Sequence, residues 1–142
     1  MGIWCRHRGL IGENRGFIRN TYAKGEVVGL NNVGGLVGRS DEFNSEGKNA
    51  YINLSYATGK VTVTNSVGNN YVAGIVGYND GWVQYCYYDK DTTGRNDSGK
   101  GIPKTTAEMK KQSTFQNWDF TNTWQINTTP ASYPYFQWQG TN

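Results

Sequence analysis

Gly9-Leu10-Ile11-Gly12 returns as Gly35-Leu36-Val37-Gly38 and again as Gly74-Ile75-Val76-Gly77. A unit that recurs in this way constrains the fold more than composition does, because it signals stacked copies of one supersecondary element. Each copy is followed by a second apolar stretch ending in aromatics: residues 17–25 after Asn14-Arg15-Gly16, residues 51–59, and residues 82–88 after Asn79-Asp80-Gly81. A third short stretch follows in two copies, at 26–29 and 60–64. The longer second interval holds two insertions, at 39–49 and 65–70.

Each copy reads as strand, turn, strand, turn, strand. Asn-x-Gly at the first turn supplies residues that tolerate positive φ. Alternation along the second stretch groups Ile18, Asn20 and Tyr22 on one face, with Ile52, Leu54 and Tyr56, then Val83, Tyr85 and Tyr87, as their counterparts. Ile18/Ile52/Val83 and Tyr22/Tyr56/Tyr87 are then columns of apolar or aromatic residues. On the other face Arg19/Asn53/Gln84 points to water. Thr21/Ser55/Cys86 and Ala23/Ala57 on that face are small, and alternation leaves open whether a bend swings them inward.

The 142 residues suit one domain. With 36% hydrophobic residues, 19 Gly and 14% aromatics, the chain can build a thin core with tight turns and aromatic cover. One such repeat cannot bury its apolar face alone, and stacked copies can. The expected fold is therefore all-β: a short β-solenoid, β-helix-like, of about three layers at 9–34, 35–73 and 74–94. With a connector loop these make up residues 1–104. Residues 105–142 form a C-terminal capping segment with one short helix. Thr105 or Thr106 is its N-cap, Glu108 lies in its first turn, and Lys110 and Lys111 lie near its end. Phe115, Trp118, Phe120, Trp124, Tyr133, Tyr135, Phe136 and Trp138 follow. An open solenoid end exposes apolar side chains and strand edges, so these aromatics are expected to close it, with Trp118 and Trp124 against Ile75, Val76 and Val83.

The words G-L-V-G, N-x-G and I-x-N-x-Y-A-T-G resemble the GLUG-motif repeats of bacterial and archaeal surface proteins. Residues 35–38 with 52–59 are the nearest match. The tail also resembles the segment that often follows the last such repeat, through Tyr87-Tyr88-Asp89, Thr105 to Lys110, Trp118-Asp119-Phe120, Trp124-Gln125-Ile126 and Tyr133-Pro134-Tyr135. Residues 3–8 do not match the end of a preceding repeat. The resemblance implies a secreted or surface-anchored protein with a β-solenoid stalk, often associated with adhesion, and it carries no catalytic residues.

The residues themselves offer little chemistry. The net charge is +3, with no dense basic run, which weighs against nucleic acid. No stretch has the roughly 18 apolar residues of a membrane span. The first residues lack the apolar core of a signal peptide, and Arg6 breaks the myristoylation pattern; a signal, where the native protein is secreted, is expected upstream. Cys5 and Cys86 can pair, but two buried thiols are the favoured reading. His7 is the one histidine, so neither a histidine-based triad nor a His-rich zinc site is available. Glu13, Asp41, Glu42, Glu46, Asp80, Glu108 and Asp119 show no spacing that suggests paired carboxylates. Asp89-Lys90-Asp91-Thr92-Thr93-Gly94 opens like a calcium loop, and Asp97 adds a third carboxylate. Thr93 and Lys100 stand where an EF-hand needs Asp or Asn and Glu, so Asp89, Asp91 and Asp97 are a weak calcium candidate and the favoured reading is a turn.

The expected function is a non-catalytic structural or adhesive module of an extracellular or cell-surface protein, an adhesin-like element without a cofactor or metal. Its expected partners are further repeats or domains of the same polypeptide, neighbouring subunits, or a host or matrix glycan or protein. The alternatives are a carbohydrate-binding module using Trp82, Tyr85 and the tail aromatics, and a subunit that assembles head to tail into filaments.

Overall fold

A computed structural model describes residues 10–41, 49–64 and 71–140. The chain is all-β, with small sheets and two helices of four residues each. The first repeat supplies β1 (Ile11–Asn14), β2 (Phe17–Arg19), β3 (Tyr22–Ala23) and β4 (Val27–Gly29), followed by β5 (Val33–Gly34). The second supplies β6 (Val37–Ser40), β7 (Tyr51–Asn53), β8 (Tyr56–Ala57) and β9 (Val61–Val63), followed by β10 (Val72–Ala73). The third supplies β11 (Val76–Asn79), β12 (Trp82–Gln84) and β13 (Tyr87–Asp89). Then come α1 (Lys90–Thr93), β14 (Ile102–Lys104), α2 (Thr106–Met109) and the hairpin strands β15 (Trp124–Gln125) and β16 (Tyr135–Phe136).

Strands at equivalent repeat positions pair with one another, always in parallel. The sheets run β1-β6-β11, β2-β7-β12 and β3-β8-β13-β14, with the pairs β4-β9 and β5-β10. Register holds residue for residue: Ile11 opposite Val37 opposite Val76, and Ile18 opposite Ile52 opposite Val83. Parallel strands bury like against like, so Ile18, Leu36, Val37, Ile52, Ile75 and Val76 merge into one core. Val27, Val33 and Val61 form a second, smaller core.

Four expectations need correction. The second stretch of each repeat is two strands, not one. Asn20, Leu54 and Tyr85 sit between them in the left-handed region, at φ 50°, 50° and 49°. That corner reverses the alternation. Ser55, Ala57, Cys86 and Tyr88 turn inward, while Tyr22, Tyr56 and Tyr87 leave the face shared with Ile18, Ile52 and Val83 and point outward. At the Asn-x-Gly turns, Asn14 and Asn79 do not take positive φ; their Oδ1 atoms accept hydrogen bonds from the N–H of Gly16 and Gly81. The expected single helix shrinks to α2, ended by Lys110, and the Asp-rich connector supplies the additional helix α1. Thr105 is the N-cap of α2, and with Glu108 it closes a capping box.

The fourth correction concerns the tail. Trp118 and Trp124 are buried, but not against Ile75, Val76 and Val83. They lie on the outward tyrosine column with Leu54, Met109 and Phe115. The exposed side of the third repeat is instead covered by the connector between α1 and β14. Asp97 Oδ1 accepts from Gly74 N at 3.0 Å, Tyr88 Oη donates to the Asp97 carbonyl, and Gly101 lies on Ile75. Gly101 has φ +120° and no room for a Cβ beside the Ile75 side chain, so glycine is required there.

Candidate functional site

The three corners lay out two aromatic columns side by side. In the first, Tyr22 and Tyr56 stack with ring centroids 5.2 Å apart and planes 9° from parallel. The tail covers this column along its length. Phe136 meets Tyr22, Trp124 and Trp118 meet Tyr56, and Phe115 meets Tyr87 edge-on. The hydroxyls are used as well: Tyr22 Oη donates to Gln139 Oε1, Tyr56 Oη to the Pro134 carbonyl, and Tyr87 Oη accepts from Gln116 N. Burial raises the Tyr56 hydroxyl pKa far above its ordinary value, and nearby Tyr22 and Tyr133 raise it further. This column is a packing surface within the chain.

The second column lies on the outer face of β2-β7-β12. Phe17, Tyr51 and Trp82 are register partners, and Phe17 is 83% and Trp82 54% exposed. The Phe17 and Tyr51 rings lie 6.4 Å apart. Two residues along each strand, on the same outward face, stand Arg19, Asn53 and Gln84. Tyr51 Oη donates to Gln84 Oε1. Between the first two strands is a groove of about 220 Å³ lined by Phe17, Ile18, Arg19, Tyr51 and Asn53. Asn53 Oδ1 is buried and has no hydrogen-bond partner among the described residues.

The sequence singled out Trp82, Tyr85 and the tail aromatics for carbohydrate. The structure keeps Trp82 exposed and buries Trp118 and Trp124 elsewhere, with Tyr85 at a corner. Phe17 and Tyr51 were missed as its companions. Their signal was present: the first residue of the second stretch is aromatic in all three copies.

The calcium candidates each accept hydrogen bonds from donors of their own chain. Asp89 is fully buried; its Oδ1 caps α1 by accepting from Asp91 N and Thr92 N, and its Oδ2 accepts from Thr106 Oγ1 and Tyr133 Oη. Asp91 accepts from Thr106 N, and Asp97 from Gly74 N. Lys100 donates to the Gly77 carbonyl. Glu13 pairs with Arg15 and Asp41 with Arg39, all on the surface of the neighbouring sheet. Among the described residues Cys86 is a buried free thiol, and burial pushes its pKa up to about 12. Cys5, His7, Glu42 and Glu46 lie outside the described residues. No helix among the described residues is long and apolar enough to cross a membrane.

An all-β chain of in-register repeats with one covered and one open aromatic column is the class this geometry defines. No family model matches the chain, and no solved structure matches it. It is 37% identical, over a 132-residue alignment, to a protein of Evansella cellulosilytica that carries the provisional name Gly-rich membrane protein. The alignment covers 88% of this chain and only 14% of that protein's length.

Proposed function

We propose that the chain is a short parallel β-solenoid acting as a non-catalytic structural or adhesive module of an extracellular or cell-surface protein. The observation that carries this reading is the register: three repeats stack Ile18 on Ile52 on Val83 and Phe17 on Tyr51 on Trp82 without a slip. Such a stack is a rigid spacer that displays one outward residue per layer at a fixed pitch. The carboxylates Asp89, Asp97, Glu108 and Asp119 accept from backbone or hydroxyl donors of their own chain, which suits scaffolding more than acid–base work. The GLUG-like words support a surface location, as does similarity to a long protein whose name places it at a membrane. Further repeats or a neighbouring subunit are the natural partners of β1 to β4, whose second edges pair with no strand among the described residues. Antibodies raised against the purified chain should label intact, unpermeabilised cells of the source organism. Labelling that appears only after lysis would sink the surface assignment.

A further inference from the structure

We infer that the outer face of β2-β7-β12 is a glycan-binding strip, with Phe17, Tyr51 and Trp82 as the stacking column and Arg19, Asn53 and Gln84 as the polar column. This rests on the layered reading above, because the strip exists only while the three repeats stay in register.

The chemistry of the two columns is complementary to a sugar chain. A pyranose ring has C–H faces and a rim of hydroxyls. Neighbouring strands lie about 4.8 Å apart, and the Phe17 and Tyr51 rings, tilted 43° to each other, lie 6.4 Å apart, on the scale of one sugar unit. Aromatic faces take the C–H surfaces. The parallel polar column lies two residues, about 7 Å, along the strands, where it can reach the hydroxyls. Asn53 lines the groove between the first two strands, and Arg19 and Gln84 stand exposed on either side of it.

Area and charge decide among occupants. Three strands of three residues make a face of about 10 by 14 Å, roughly 140 Å². A stable protein partner needs about 800 Å² on each side. The strip is too small for that and large enough for a short oligosaccharide. Arg19 is the one cation in the two columns, so a nucleic acid would gain a single phosphate contact there. The columns hold no carboxylate, so neutral and acidic sugars are both admitted.

The test uses the whole chain with cellohexaose, chitohexaose, mannohexaose, laminarihexaose and a galacturonate hexamer. Titration calorimetry and tryptophan fluorescence give the readout. At least one oligosaccharide should bind. Phe17→Ala and Trp82→Ala should each weaken binding about tenfold or more, the scale of losing one ring from a stacking platform. Both side chains are largely exposed, so melting temperature should hold in both variants. Gln84→Ala, which keeps every ring, should weaken binding to a lesser degree. No binding by any of the five at about 5 mM, beyond the range of weak specific recognition, overturns the strip and leaves the layered module standing. Binding that survives both ring substitutions overturns it too. Preferential binding of a deoxythymidine oligomer at physiological salt would assign the face to single strands instead. Failure of the layered reading itself has a separate signature, an Ile52→Ala variant as stable as the parent.

Discussion

Asp89 shows how a residue that looks like a metal ligand can be fully used by its own chain. Its side chain caps α1 and receives hydroxyls from Thr106 and Tyr133, which ties the third repeat, α2 and the tail to one buried carboxylate. Removing it loses a cap and leaves two hydroxyls without their acceptor. Asp89→Ala should therefore cost about 2–4 kcal/mol, read as a drop in melting temperature or urea midpoint. A chelator should leave the melting temperature of the parent unchanged, because an ion bound to the folded form would stabilise it by mass action. A chelator-induced fall of several degrees would return the site to calcium. The pH dependence follows from other buried groups. Cys86 has its thiol pKa raised by burial from 9.0 to about 12, and burial raises Tyr87 and Tyr133 above their ordinary 10.0. A folded pKa above the unfolded one means that the native state holds its proton more tightly. The resulting stability is complete below pH 9 and is lost as pH climbs toward 12. Chemical denaturation at pH 8 and pH 11 should show the loss. In a Cys5→Ser background, Cys86 should stay unreactive toward a thiol reagent at pH 8 until the chain unfolds.

At the scale of elements, the in-register columns make one position stand for three. Ile52 is fully buried between Ile18 and Val83, so Ile52→Ala opens a cavity with neighbours above and below. The expected cost is about 2–4 kcal/mol, and a melting temperature within a degree or two of the parent would show that the alignment of repeats is wrong. This alignment was legible in the sequence, because G-[LI]-[IV]-G and the following apolar stretch repeat in the same order. The corner was not. One copy carries Asn20, a residue that accepts the left-handed region at little cost, but Leu54 and Tyr85 occupy the same position and disfavour it. Strand alternation then reads straight through and assigns Tyr22, Tyr56 and Tyr87 to the wrong face. The in-register parallel pairing on either side of the corner over-determines its backbone and overrides the local preference. The open column was half legible for a related reason. Aromatic residues at Phe17, Tyr51 and Trp82 are visible by position, but which aromatics stay exposed depends on where the tail lies, and that is a tertiary fact.

At the scale of the molecule, the tail acts as a clamp along the side of the repeats. Phe136 touches the first repeat through Tyr22, Trp124 bridges Tyr22 and Tyr56, Trp118 bridges Tyr56 and Tyr87, and Phe115 rests on Tyr87. An end cap would stabilise the last repeat and reach the first only through it. A lateral clamp couples all three at once, since loosening it uncovers the whole tyrosine column. Trp124 is fully buried at the middle of that contact, its ring centroid 4.5 Å from that of Trp118 and 4.4 Å from that of Phe136. Trp124→Ala should cost about 3–5 kcal/mol, but the pattern of the loss is more informative than its size. Tyr56 N and Thr58 N donate to the first repeat, Tyr87 N to the second, and Ile102 N to the third. Native-state hydrogen exchange resolves each of these layers separately. In the Trp124→Ala protein, the Tyr56, Thr58 and Tyr87 amides should all exchange faster, by comparable factors. Ile102 should change less, because its acceptor, the Cys86 carbonyl, lies in the third repeat beside the connector that Asp97 and Lys100 hold in place. Acceleration confined to Tyr87 and Ile102, with Tyr56 and Thr58 as protected as in the parent, would mean that the tail closes one end after all.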